Sequence, residues 1–122
     1  PILLYDKKKQ MIAAIHAGWK GALKGIINSV IKFMYKKGCI QNNIIAAIGP
    51  CIGKESYNVK EDLKKKFLKK SKKNRIFFKN KKNIIYFDLP NYVKSQLKLN
   101  KITKIDNINI DTFDKKRYDK EN

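Results

Sequence analysis

Two cysteines are too few to staple a chain of 122 residues. Cys39 and Cys51 form neither a disulfide framework nor the paired spacing of a metal knuckle. A reducing, cytoplasmic setting is the simplest expectation. Histidine and tryptophan each occur once, as His16 and Trp19, so any imidazole chemistry has to be built at His16. No apolar run approaches the roughly 20 residues that span a bilayer, and no membrane partner is expected. Pro1-Ile2-Leu3-Leu4-Tyr5 lacks the basic leader and long apolar segment of a secretory signal. Internal repeats and interdomain linkers are also missing, which leaves residues 1–122 as a single expected domain with a modest core.

Acidic residues are scarce, ten against 29 basic ones, for a net charge of +19. Such a balance suits an acidic partner such as nucleic acid or anionic lipid. Arginine is scarcer still. Only Arg75 and Arg117 are not lysine, whereas specific readers of bases and phosphates usually use arginine forks. Richness in Lys, Ile and Asn is also what an AT-rich genome writes whatever the function. Nucleic acid is therefore the minor expectation. Lys64 to Lys82 holds no acidic residue and reads as a solvated helix face and loop. Phe67, Phe77 and Phe78 interleave with these cations and would be the rings to stack on bases, but helical spacing already accounts for Phe67.

What the chain does have is Ile15-His16-Ala17-Gly18-Trp19-Lys20-Gly21. This stretch follows the apolar run Met11 to Ile15. It precedes Ala22 to Lys37, whose Leu23, Ile26, Ile27, Val30, Ile31 and Met34 recur at helical spacing. The layout is strand, glycine-bounded turn, helix. It puts an imidazole at the carboxyl end of a strand and backbone N–H groups at a helix start, where an anion such as phosphate is favoured. His16 then reads either as a metal or acid–base residue or as a packed histidine satisfied beside Trp19. Gly38 suits the left-handed position after the helix. Cys39 reads as a small buried residue.

Ile44 to Ile48 is a second apolar run, ending in Gly49-Pro50-Cys51-Ile52-Gly53. With a helix over 21–37 between them, strands near 11–15 and 44–48 form a strand–helix–strand unit with parallel strands. Their carboxyl ends, with His16 and Cys51, would share one edge, where open α/β sheets place their sites. The expected class is thus α/β, a mixed sheet with helices packed on it. Further on, Val59 to Lys70 reads as a helix with Glu61 and Asp62 at its start. Ile84 to Phe87 reads as a strand. Asp88 would cap a helix through about Leu99, and Ile105, Ile108 and Ile110 suggest a last strand.

His16-Ala17-Gly18-Trp19-Lys20-Gly21 followed by Ala47-Ile48-Gly49-Pro50-Cys51-Ile52-Gly53 resembles the laccase-domain family, also called multicopper polyphenol oxidoreductases or zinc-dependent purine nucleoside phosphorylases. The likeness continues through Tyr57-Asn58-Val59, Phe87-Asp88-Leu89 and Asp111-Thr112, and covers the second half or so of a typical member. It implies phosphorolysis of adenosine, inosine and methylthioadenosine, with some adenosine deamination. The partners it implies are a purine nucleoside and phosphate, and a homodimer is compatible with it. The implied cofactor is zinc, with copper as the alternative. His16 would be one metal ligand. Gly18, Trp19, Gly21 and Gly49 would bind substrate or phosphate, and Lys20 would add charge where most members carry arginine. Cys51 would line the pocket, act as a nucleophile or be structural.

In the family an Asp-Cys pair directly precedes a segment like Pro1–Leu4, its cysteine and an earlier histidine being the other ligands. An arginine-rich Phe-Ser-Tyr-Arg segment follows Asp111-Thr112, and here only Arg117-Tyr118 stands near that place. A metal site complete within these 122 residues, and full activity from them alone, are accordingly not expected.

Overall fold

The structure, a computed structural model, describes residues 1–107. The expected last strand is therefore seen only in part, and Ile108, Ile110, Asp111, Thr112, Arg117 and Tyr118 lie outside the described residues. Backbone proximity divides the described residues into two units: 1–49 with 93–107, and 50–92.

The first unit is built on a four-stranded mixed sheet in the order β2-β1-β3-β7, with β1 at Ile2–Asp6, β2 at Met11–Ile15, β3 at Ile44–Ile48 and β7 at Lys104–Asn107. The expected strands over 11–15 and 44–48 are both present. They run in the same direction without touching, because β1 lies between them, antiparallel to each. β7 pairs with β3 in parallel. Strand alternation sorts the faces. Ile2, Leu4, Ile15, Ile44, Ala46 and Ile48 are buried on one of them. The other carries Leu3, Tyr5, Ile12 and Ile45, all substantially exposed, with Tyr5 opposite both Ile12 and Ile45.

The helix expected over 21–37 is present but broken, and it begins earlier. It forms α1 at Trp19–Lys24 and α2 at Ile26–Lys36. Gly25 makes the break by adopting a left-handed conformation (φ 89°), its N–H donating to Ala22 O at 3.2 Å. A helix period continued through Gly25 would have kept one axis; glycine makes the αL break cheap. α2 buries Ile27, Ile31 and Met34, the stripe expected from their spacing. It ends as anticipated at Gly38 (φ 95°), where Cys39 N–H reaches back to Met34 O.

A buried carboxylate closes the first hairpin. Asp6 is fully buried and accepts the backbone N–H groups of Lys8 (3.0 Å), Lys9 (3.1 Å) and Ile40 (3.3 Å). The Lys9 N–H does most to hold its carboxyl below the usual carboxylate range. Burial opposes it, and donors from Ile40, Cys39 and Lys8 reinforce it. Cys39 is buried beside it, as expected, with its thiol pushed up chiefly by burial.

The second unit holds a three-stranded antiparallel sheet in the order β4-β6-β5, with β4 at Asn58–Val59, β5 at Phe78–Lys81 and β6 at Ile84–Phe87. Helix α3, Glu61–Lys70, follows β4 and leads into a 3₁₀ segment over Lys72–Phe77. Strand β5 occupies chain read above as helix face and loop. Lys82 and Asn83 join it to β6 with φ of 53° and 63°, the pair of positive angles of a two-residue hairpin turn. Lys-Asn is a weak signal for that turn, and β5 itself is three-quarters polar. The core is aromatic. Phe67 meets Phe87 at 4.7 Å and Tyr92 edge-on at 4.9 Å between ring centroids, and Phe78 stacks on Phe87 at 4.9 Å.

Helix α4, Leu89–Leu99, gives its first turn to the second unit and the rest to the first. Asp88 caps it as read from the sequence, accepting Asn91 N–H at 3.2 Å. At its end Lys101 is left-handed (φ 65°) while Ile102 N–H donates to Leu97 O, a Schellman closure without glycine. Lys101→Gly should therefore stabilise the chain by about 1 kcal/mol, read by urea denaturation. Asp6→Asn should destabilise it and flatten its acid limb. A carboxyl lowered in the fold contributes stability above its ordinary pKa, which is lost as pH falls through the lowered value. Thermal melts from pH 7 to pH 2 test this, and an unchanged acid limb would deny Asp6 that role.

Candidate functional site

The register fixes where the glycine turns lie. Ile2 pairs with Ile15 on one side and with Ile48 on the other. The chain therefore leaves β2 toward His16 and β3 toward Gly49 at the same end of the sheet, one strand apart. With about 4.8 Å between neighbouring strands, that is about 10 Å. Gly49 N–H donates to Pro1 O at 2.8 Å, tying this end together. A Cβ on Gly49 would stand 2.9 Å from the Pro1 ring, so the position has no room for a side chain.

His16 is exposed, immediately after β2, so it is not a histidine packed into the core. Gly18 is the residue before α1, extended at φ −84°, and accepts Ala22 N–H at 3.0 Å. A Cβ there would meet nothing within 4 Å. One on Gly21 would find only ordinary contact, 3.6 Å to the Ile26 side chain. Neither glycine is demanded by backbone angle or by crowding, and in a helix glycine costs about 1 kcal/mol relative to alanine. Gly18 is the N-cap of α1, where glycine is favoured over alanine. For Gly21 the described residues supply no such reason, and close approach of another group is one that glycine permits. Lys20 is exposed, its ammonium 5.6 Å from the centre of the half-buried Trp19 ring. Such cation–π contact is worth about 0.5–1 kcal/mol at the surface and keeps the charge beside the turn.

The turn 16–21 and Gly49 are thus brought to one sheet end. Cys51 belongs to the second unit, half-buried, and no disulfide joins it to Cys39. Among the described residues no three His, Cys, Asp or Glu side chains are grouped to hold a metal ion. Asp6 is at the far end of β1 from Ile2, its carboxylate saturated by backbone donors. A zinc site needs three or four ligands. At this sheet end the described residues offer His16 alone, so by themselves they do not complete a zinc or copper site.

Residues 1–118 match the description of multi-copper polyphenol oxidoreductase laccase. The chain belongs to that family. Purine nucleoside phosphorylase RC0672 of Rickettsia conorii is 40% identical over 115 residues, 93% of this chain and 47% of that protein. Adenosine deaminase RL5, from an unknown prokaryotic organism, is 33% identical over 69 residues, 57% of this chain and 26% of that protein. The crystal structure of Bacillus licheniformis hypothetical protein YfiH superposes with a TM-score of 0.81 at 26% identity, covering 91% of this chain and 43% of that one. The fold is thus that of a mixed α/β laccase-family domain, and the chain spans about half the length of the relatives it matches. No helix of the described residues is long and apolar enough to cross a membrane.

The reading of the sequence missed Pro1, whose carbonyl pins Gly49. Nothing in Pro1-Ile2-Leu3 signals a partner 48 positions away. Gly49→Ala should cost about 1–3 kcal/mol, the usual range for overpacking. Gly18→Ala, with open space around it among the described residues, should cost less, up to about 1 kcal/mol for the poorer N-cap. Equal losses in paired denaturation curves would refute this account of the two turns.

Proposed function

We infer that the chain contributes to a purine nucleoside phosphorylase, with phosphate and nucleoside approaching the sheet end that carries His16, Gly18, Trp19, Lys20, Gly21 and Gly49. The observation that carries this reading is Gly21, a helical glycine that the described residues neither crowd nor strain, following the N-cap Gly18 in a turn beside an exposed imidazole and an exposed ammonium. The names of the relatives support the reaction class. Phosphorolysis asks for an anionic oxygen held at the ribose carbon as the base departs. Backbone close to the oxyanion and a nearby cation are what position such a nucleophile. Lys20 serves as a point charge, without the two-pronged grip of arginine. Trp19 offers a flat ring to a base or ribose. His16 is the donor this chain brings to whatever zinc or copper the whole enzyme holds, and no step is drawn through that metal. The setting we assign is cytoplasmic, the simplest reading of a sequence with two cysteines and no disulfide framework.

The test is release of free base from adenosine, inosine and methylthioadenosine by the full-length gene product, followed by chromatography with and without phosphate. Release should require phosphate. Gly18→Ala and Lys20→Ala should each raise the KM for phosphate about tenfold, equivalent to about 1.4 kcal/mol, while the protein still melts cooperatively above the assay temperature. His16→Ala should abolish turnover. Cys51→Ala should reduce it modestly if the thiol lines the pocket and abolish it if the thiol is the nucleophile. A folded protein that releases no base from any of the three, or a Gly18→Ala variant with unchanged phosphate dependence, would sink the reading.

A further inference from the structure

The β5–β6 hairpin has two unlike faces. Register pairs Phe78 with Phe87, Lys79 with Tyr86, Asn80 with Ile85 and Lys81 with Ile84. Phe78 and Phe87 point into the aromatic core of the second unit. Alternation therefore puts Lys79, Lys81, Ile84 and Tyr86 together on the outer face. On the third strand Asn58 stands opposite Tyr86, so one row across the sheet reads Asn58, Tyr86, Lys79. Lys79, Lys81, Ile84 and Tyr86 line an open cavity of about 230 Å³ together with Lys54, Glu55 and Lys82.

Four of the seven lining residues are lysines and one is acidic. None of the four lysines is ion-paired among the described residues. Placing like charges on one sheet face is unfavourable without a counter-charge. Among the described residues Glu55 is the one acidic group in the lining, so most of this charge is left to other counter-charges, a ligand's among them. The floor is of another kind, a half-buried Tyr86 ring and an exposed Ile84 side chain. A flat ring walled by ammonium groups suits a ligand that is itself a flat ring joined to an anion.

We propose that this cavity binds a nucleotide, the base lying against Tyr86 and Ile84 and the phosphate held by Lys54, Lys79, Lys81 and Lys82. Lysine contacts to phosphate carry no sequence preference, and base–aromatic stacking tolerates any base. The unit recognised is a nucleotide, free or as one residue of a single strand. The cavity lies wholly within residues 50–92 and shares no residue with the glycine turns, so it stands apart from the phosphorylase reading.

The experiment is binding to the 122-residue chain, by calorimetry with adenosine monophosphate, adenosine and inorganic phosphate, and by fluorescence anisotropy with a labelled single-stranded RNA octamer. Adenosine monophosphate should bind at least tenfold more tightly than either adenosine or phosphate. Tighter binding of the octamer, falling steeply with added salt, identifies the strand as the source. Equal binding identifies the free nucleotide. Lys79→Glu with Lys81→Glu should weaken binding tenfold or more, and so should Tyr86→Ala. Circular dichroism checks the fold of each variant. Lys65→Glu with Lys69→Glu, on exposed positions of α3, makes the same change in net charge elsewhere and should have little effect. No binding of either probe by the unsubstituted chain overturns the proposal. An equal loss from the α3 pair also overturns it, because diffuse charge would then suffice. His16→Ala should bind normally, so failure of the phosphorylase reading would leave this result standing.

Discussion

The carboxylate of Asp6 is the constraint on which the first unit depends. A buried charge costs several kcal/mol of hydration unless polar groups replace the water. Here Lys8 and Lys9 donate from the hairpin turn and Ile40 from the connection between α2 and β3. One side chain thereby joins the loop after β1 to the chain entering β3. Asp6 pairs with Met11 on one side and Ile44 on the other, so both registers are set at that end. A slip of one residue in either would turn the alternation inside out and expose Leu4 and Ala46.

What is fixed at Asp6 is read out at Ile2. Four residues along β1, Ile15 and Ile48 both arrive opposite Ile2, and the glycine turns follow each of them. The turn after β3 is closed by contact with Pro1 and needs glycine for lack of space. The turn after β2 is open and keeps glycine without that need. The first is architecture. The second is where the chain leaves its backbone accessible, which is why the functional reading rests on Gly21 rather than on Gly49.

Much of this is legible in the sequence itself. Met11–Ile15 and Ile44–Ile48 are uninterrupted apolar runs bounded by turn residues, and both are strands. The stripe Ile27, Ile31, Met34 is helical, and Asp88 caps its helix. The failures have physical causes. Periodicity alone cannot see a break at Gly25, because the apolar stripe continues in phase on either side of it. β5 was hidden because Phe78-Lys79-Asn80-Lys81 has one core-facing aromatic and an outer face of lysines, which reads as solvated chain. The intervention of β1 between β2 and β3 is a long-range pairing, and strand–helix–strand order does not specify adjacency. Asp6 looked like an ordinary turn residue because its partners are backbone groups, which leave no mark in a sequence.

The same alternation explains why a charge of +19 is a poor guide on its own. On α3, lysines at Lys65, Lys66, Lys69 and Lys70 alternate with the buried Phe67 and half-buried Leu68 and serve as the wet side of an amphipathic helix. On β5, Lys79 and Lys81 sit two residues apart and so must share a face, with Tyr86 and Ile84 set opposite them by register. Helical spacing spreads a lysine-rich run around a cylinder; strand spacing gathers it on one side. A lysine bias imposed by base composition would thus become a site only where the backbone has period two and an uncharged floor lies across the ladder. Among the described strands, β5 and β6 meet both conditions.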